Sequence, residues 1–175
     1  SAAGAGDQYV YLLVDRHAAP GVAGLLCGIT YGDGSSLARG DGLGIDVLSW
    51  HLCADFELVM PGTNPWPNAG SGITIVWDSI QHCQTGPLAV AGYFVVRPTS
   101  TDVVSLIPRP GEALAVVTDC AAREYRLGAD QLGAVTFSPG ATLPGYNPAI
   151  PGGSGHAVPV RSTTWGGIKA QYGGR

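Results

Sequence analysis

Charged side chains are scarce in this chain. Only 13% of its 175 residues are Asp, Glu, Lys or Arg, the net charge is −4, and Lys169 is the single lysine. A surface that binds nucleic acid needs a stripe of basic residues to neutralise phosphates, so we expect no nucleic-acid partner. Apolar runs also stay short of the ~18 residues that a membrane-spanning helix requires, and no transmembrane segment is predicted.

The motifs of common catalytic sites are missing as well. The chain contains no Gly-x-Ser-x-Gly, no His-Glu-x-x-His and no phosphate-binding loop. Asp55 and Glu57 share one strand face by the two-residue period, and paired carboxylates can hydrolyse glycosides. Two such acids more often form a solvated face, so we expect a non-enzymatic protein without cofactor or metal.

Glycine and proline are abundant instead, with 27 and 13 residues. They separate short runs of β-branched, aromatic and apolar residues, which is typical of an all-β protein. The run 45–58 carries a strand with a bend near Leu52, and about nine strands in all are predicted, in an antiparallel jelly-roll β-sandwich over residues 1–138. The predicted runs are 7–16, 22–31, 45–58, 73–78, 88–97, 102–108, 113–119 and 132–138.

Four cysteines, an even number, are compatible with two disulfides in an oxidising compartment. Three pairings are possible. A hairpin centred near Asn68 would place Cys53 opposite Cys83, so we predict the pair Cys53–Cys83 and, by elimination, the pair Cys27–Cys120.

Two metal sites are alternatives to these assignments. His51 and Cys53 share a strand face, and with Cys83 opposite they would provide three zinc ligands, although no fourth ligand is evident. Calcium would take oxygen ligands from three aspartates in glycine-rich turns, but ordinary turn chemistry also explains Asp-Gly pairs. These aspartates are Asp33, Asp41 and Asp46.

Tryptophan is the most suitable residue for contacting a ligand or partner. Trp66 lies between Pro65 and Pro67 in a loop, and we expect it to be exposed and to contact a glycan or a protein. Trp50 could also stack on sugar rings, whereas Trp77 lies in a predicted strand and is expected in the core.

The last third of the chain differs in charge from the rest. All 13 acidic residues precede residue 131, and the remainder carries three basic residues and no acid. Residues 139–155 form a Pro/Gly-rich linker and residues 156–175 a basic, aromatic tail. An apolar tail can fold back on its own sandwich or dock on a neighbouring copy. The charge difference favours the neighbouring copy, and a head-to-tail contact of this kind builds a filament. The predicted assembly residues are Val158, Val160, Arg161, Trp165, Ile168, Lys169 and Tyr172.

Apolar residues and glycines recur in a pattern in residues 20–31 (PGVAGLLCGITY), 71–77 and 86–96. The first stretch resembles the opening strands of cohesin-like modules, and the other two resemble the later core strands of that family. The resemblance covers about residues 7–138 and implies a nine-strand jelly-roll sandwich, close to carbohydrate-binding modules. The cysteines and the basic tail depart from it. The layout with the ending 163–172 (TTWGGIKAQY) resembles uncharacterised secreted bacterial proteins, which imply no activity.

Together these patterns predict a secreted structural protein that joins an extracellular filament or surface assembly through its terminal segments. The start at Ser1-Ala-Ala-Gly is typical of a mature end left by signal peptidase. The alternative is a cohesin-like or glycan-binding module of a cell-surface complex. For the tail, a sorting signal that is cleaved during export is the other interpretation.

Overall fold

The computed structural model describes residues 6–17, 19–32, 42–59, 64–138 and 141–146. This part of the chain contains eleven strands and a single turn of 3-10 helix, Ala129–Gln131. The strands are β1 (Gln8–Asp15), β2 (Gly24–Thr30), β3 (Ile45–Leu52), β4 (Phe56–Val59), β5 (Ser71–Val76), β6 (Leu88–Pro98), β7 (Asp102–Ile107), β8 (Val116–Thr118), β9 (Glu124–Arg126), β10 (Ala134–Ser138) and β11 (Ala141–Tyr146).

The described strands form two antiparallel sheets, so the expected all-β sandwich is confirmed. The small sheet has the order β1-β6-β3, and the large sheet has the order β11-β10-β7-β2-β5-β4, with β8 beside β2 and β9 beside β8. The apolar core lies between them because alternate residues of each strand point inward. Its central side chains include Leu25, Cys27, Ile29, Ile73, Ile75, Phe94 and Val96.

The predicted run 45–58 is divided between the two sheets. β3 pairs with β6 in the small sheet, and β4 pairs with β5 in the large sheet. The chain therefore crosses from one sheet to the other at residues 53–55, directly after the bend predicted near Leu52.

The large sheet extends beyond the predicted domain boundary at Ser138. Strand β11 lies within the stretch predicted as a linker, 139–155, and pairs with β10 from Ser138↔Ala141 to Ala134↔Tyr146. The boundary was wrong because a Pro/Gly-rich sequence still forms a strand where a neighbouring edge supplies the hydrogen bonds.

Two β-bulges determine which side chains of the small sheet point outward. Leu48 is the additional residue in β3, between the pairs Val47↔Val96 and Ser49↔Val95. Ala91 is the additional residue in β6, between the pairs that Gly92 and Val90 make with β1. An additional residue shifts the two-residue alternation by one position. Trp50 consequently points inward, and His51 points outward.

A glycine pair lets a loop lie on the outside of the large sheet. β7 and β8 occupy the same side of β2, and residues 108–115 loop out between them. Gly28 and Gly72 face each other across β2 and β5. A Cβ on Gly28 would lie 3.0 Å from Pro110 Cδ, and one on Gly72 would lie 2.6 Å from Arg109 Cγ. The glycines therefore provide the space into which this loop packs.

The disulfide pairing differs from the predicted one. Cys83 and Cys120 form the disulfide, whereas Cys27 is a free thiol in the core and Cys53 is free and exposed. The prediction was wrong because residues 45–58 are not one strand opposite 72–83. Cys53 follows the end of β3, and Cys83 lies in the connection from β5 to β6.

Candidate functional site: an aromatic row on the small sheet

The outer face of the small sheet carries a row of aromatic side chains that crosses all three strands. Tyr11 of β1 pairs with Tyr93 of β6, and Tyr93 pairs with His51 of β3. Tyr9 lies two residues before Tyr11 on the same face. We define Tyr9, Tyr11, His51 and Tyr93 as the aromatic row.

Tyr93 lies at the centre of this row and contacts the other three rings. Its ring stacks on His51, with centroids 4.7 Å apart and an interplanar angle of 15°. Tyr9 and Tyr11 lie 5.8 and 5.7 Å from Tyr93 and are tilted by 51° and 43°. Because tilted rings cannot cover one another face to face, Tyr9 and Tyr11 keep ring surface free. Tyr9 is 55% exposed.

The strand alternation and the bulges together explain the outward position of these residues. In β1, Val10 and Leu12 pack on the core, so Tyr9 and Tyr11 between them face solvent. In β3, the bulge at Leu48 directs His51 to the outside, where it meets Tyr93. The aromatic row is therefore a consequence of sheet register and not of a mobile loop.

Polar atoms of the row can exchange hydrogen bonds with a ligand. Burial, followed by the nearby Tyr93, Cys53 and Tyr9, raises the pKa of Tyr11, so its phenol stays protonated at neutral pH. Ser49 Oγ lies 3.0 Å from His51 Nε2 and holds the imidazole in place. A protonated phenol both donates and accepts hydrogen bonds.

No carboxylate, ammonium or guanidinium group belongs to the row itself. Arg97 lies on the same face of β6, and its Nη2 is 2.8 Å from Asp7 Oδ1. This ion pair balances its own charge. The row thus presents tyrosine rings and hydroxyl groups beside an imidazole, which suits a neutral ligand with apolar patches.

Trp66 is not the exposed contact residue that the sequence predicted. It is 8% exposed and packs edge-on against Trp50, with centroids 5.4 Å apart, and against Phe94 at 5.6 Å. Burial removes a large apolar area from water, and this outweighs the tendency of a proline-flanked loop to be exposed. Trp77 lies in the core as expected.

Asp55 and Glu57 do not form a carboxylate pair with free oxygens. Asp55 Oδ1 lies 2.6 Å from His82 Nδ1, and its other oxygen accepts the backbone N–H of Asp78. Glu57 Oε2 accepts a hydrogen bond of 2.6 Å from Trp50 Nε1. Asp55 thus bonds to the connection after β5, whereas Glu57 bonds to strand β3, and the two carboxylates do not share a site.

The two metal alternatives gain no support from the described residues. Cys83 is bonded to Cys120, so it is not available to complete a zinc site with His51 and Cys53. Within the described ranges, no group of three or more His, Cys, Asp or Glu side chains could hold a metal ion. Asp46 is buried and accepts a hydrogen bond from Gly42, whereas Asp33 and Asp41 lie outside the described residues.

A second exposed surface lies at the edge of the large sheet. β4 pairs only with β5 among the described strands. Three of its four residues are exposed and apolar: Phe56 (49% exposed), Leu58 (56%) and Val59 (39%). The predicted assembly residues between Val158 and Tyr172 lie outside the described part of the chain, so their docking stays a prediction.

Comparisons with known proteins found no match among family models, curated proteins or solved structures. The described residues contain no helix with the length and apolar character needed to cross a membrane.

Sequence reasoning missed the aromatic row because its members are far apart in the chain. One signal was present: the alternation Tyr9-Val10-Tyr11 places two tyrosines on one strand face. Finding His51 and Tyr93 opposite them requires the register of three strands, which a single sequence does not specify.

Proposed function

We propose that this protein is a non-enzymatic extracellular binding module that holds a neutral glycan on its aromatic row. The observation that supports the proposal most is the alignment of Tyr11, Tyr93 and His51 in register across three strands, with Tyr9 exposed beside them. The C–H face of a sugar ring carries partial positive charge and packs on the negative face of an aromatic ring. The hydroxyl groups of the tyrosines can bind those of the sugar.

The rigidity of the row favours binding. Stacking on His51 and contact with Tyr9 and Tyr11 restrict the Tyr93 ring before any ligand arrives. A preorganised site loses less side-chain entropy on binding. The Cys83–Cys120 disulfide is compatible with an extracellular location, because such bonds persist in oxidising compartments.

A retention assay with insoluble polysaccharides tests the proposal. We expect the full chain to bind at least one member of a panel of cellulose, chitin, mannan and peptidoglycan. Tyr9→Ala and Tyr93→Ala should each weaken that binding about tenfold or more, since exposed aromatic anchors contribute roughly 2 kcal/mol at such interfaces.

Phe56→Ala is the matched control for these variants. Phe56 is exposed to a similar degree, 49% against 55% for Tyr9, but it lies on the large sheet. The Phe56→Ala variant should bind the polysaccharide as well as the unaltered chain does. The proposal fails if no polysaccharide is retained, or if Phe56→Ala reduces retention as much as Tyr9→Ala.

Self-assembly into a homopolymer is the second candidate function. The exposed apolar edge of β4 favours it, because an open strand edge is a template for pairing with another chain. Sedimentation velocity of the full chain over a concentration series tests it. A single monomeric species at all concentrations would contradict this candidate and leave the glycan proposal intact.

A further inference from the structure

The strands at the sheet edges in the described part of the chain differ in how well they are protected against pairing. β1 and β3 each pair with β6 across a β-bulge. β9 carries Glu124 and Arg126, and β11 contains Pro144. Bulges, charges and proline are the usual devices that prevent edge-to-edge association. Each of these four edges therefore has a feature that opposes the addition of another strand.

The β4 edge has only one feature that opposes strand addition, a single acidic residue. Its residues are Phe56, Glu57, Leu58 and Val59, without bulge or proline. Phe56 and Leu58 pair with Val76 and Thr74, so they extend the outer face of the large sheet. An incoming strand would find backbone hydrogen-bonding groups and apolar side chains together.

The position at which the chain leaves the described fold indicates what occupies this edge. β11 and β4 are the two ends of the path through the large sheet, about 24 Å apart at ~4.8 Å per strand. The residues after Tyr146 thus start at one edge, and the open acceptor lies at the other. A second copy whose β4 edge lies beside β11 would receive these residues directly.

Sequence and charge point to one segment as the partner strand. Residues 156–161 read His-Ala-Val-Pro-Val-Arg, an apolar run of strand-forming type that ends in a base. The segment comes from a basic tail, whereas the part of the chain that holds β4 contains all 13 acids. We infer that residues 156–161 of one copy add as a strand to the β4 edge of the next copy. This inference rests on the second candidate function, the homopolymer.

Pro159 determines which residues of the added strand face β4. Proline has no N–H, so in an edge strand it must turn its backbone nitrogen away from the partner. Residues two apart share that direction, and Ala157 therefore also faces away. Val158 and Val160 direct their backbone groups at β4, and their side chains share one face.

The first experiment alters the acceptor edge in the full chain. Leu58→Lys places a charge on the open edge and should weaken self-association about tenfold or more, as measured by sedimentation velocity, since edge lysines oppose strand addition. Val103→Lys is the matched control. Val103 is 41% exposed, but its strand β7 is paired on both sides. The Val103→Lys variant should therefore self-associate as the unaltered chain does.

The second experiment alters the donor segment by moving the proline. Val158→Pro removes an N–H that faces β4 and should weaken association roughly tenfold, the effect of losing one backbone hydrogen bond and its packing. Ala157→Pro removes an N–H that faces away and should have little effect. Equal effects of the two variants would overturn the assigned register.

A third measurement decides whether the contact joins two copies. A photo-crosslinking residue at position 58 is introduced into unlabelled chain, which is mixed with isotope-labelled chain. We expect mass spectrometry to find position 58 crosslinked to residues 156–161 of labelled chain. Crosslinks within one copy would overturn the inference. Association that persists in Leu58→Lys overturns this inference alone, whereas a full chain that never associates overturns the homopolymer as well.

Discussion

Cys83 and Cys120 form a disulfide whose two sulfur atoms both lie against Gly21. The Cα atoms of the two cysteines are 5.8 Å apart, and a Cβ on Gly21 would come within 2.5 Å of Cys83 Sγ and 2.7 Å of Cys120 Sγ. The bond joins the β5–β6 connection to the turn between β8 and β9. It thus fastens two connections at one end of the large sheet.

Replacing both bonded cysteines should destabilise the fold substantially. The bond joins residues 37 apart in the chain. Without it the unfolded chain gains conformational entropy, which lowers the free energy of unfolding by about 3–4 kcal/mol. Urea denaturation of Cys83→Ser/Cys120→Ser measures it. The control is Cys53→Ser, which removes an exposed free thiol and should leave the midpoint nearly unchanged. A double variant as stable as the unaltered chain would contradict the pairing.

Gly92→Ala should be markedly destabilising. A Cβ at Gly92 would overlap the Trp50 ring and lie 2.6 Å from the His51 carbonyl oxygen. Overpacking of this kind costs about 1–3 kcal/mol, and thermal unfolding should show a lower Tm. Gly86→Ala is the matched control, because its nearest neighbour would be 3.6 Å away. If both substitutions shift Tm equally, the position of Trp50 is wrong.

The two free thiols should differ in reactivity in the folded protein. Complete burial raises the pKa of Cys27 to about 12. Cys53 is exposed, but neighbouring atoms shield its thiol in part from water, and this also raises its pKa. Iodoacetamide reacts with the thiolate, so Cys53 should be alkylated slowly at pH 7 and faster as the pH rises. Cys27 should react only after unfolding. Peptide mass spectrometry of native and denatured samples distinguishes them, and rapid native labelling of Cys27 would contradict its burial.

Asp119 should make stability depend on pH on the acid side. Its carboxylate is buried and accepts hydrogen bonds from the backbone N–H groups of Arg123 and Ala121 and from the Tyr125 hydroxyl. These hydrogen bonds, above all the one from the Arg123 N–H, lower the pKa of Asp119 below the ordinary value of an aspartate. Because its pKa is lower in the folded than in the unfolded chain, Asp119 stabilises the fold at pH values above its unfolded-state pKa. This contribution is lost as the pH falls through its folded-state pKa.

Asp119→Asn tests this pH dependence. The variant should have a lower Tm than the unaltered chain at pH 6, because an amide nitrogen replaces one acceptor oxygen. The difference in Tm should narrow as the pH falls below the ordinary pKa of an aspartate and the carboxylate of the unaltered chain becomes protonated. A constant difference over this range would show that the charge of Asp119 does not contribute.

The strands that could be predicted from the sequence are those whose own residues are apolar or β-branched and are bounded by turn residues. β1, β2, β7, β8 and β10 lie within predicted runs, and β5 and β6 overlap theirs except at one end, because β-branched and apolar residues alternate there and turn residues bound them. β9 and β11 were missed. The residues of β9, Glu124–Arg126, are all exposed, and β11 contains proline and glycine. Both strands are short partners of a neighbouring edge, and their own composition gives no signal.

The sequence by itself determined the class of the fold and the position of most of its strands, because side-chain polarity and the two-residue period are local properties of the chain. Only the tertiary structure decided the disulfide, the burial of Trp66 and the aromatic row. Each of these depends on which distant segments are neighbours, and the crossing at residues 53–55 and the bulges at Leu48 and Ala91 set that arrangement. One additional residue in a strand exchanges its two faces, and a sequence pattern alone does not reveal where that residue lies.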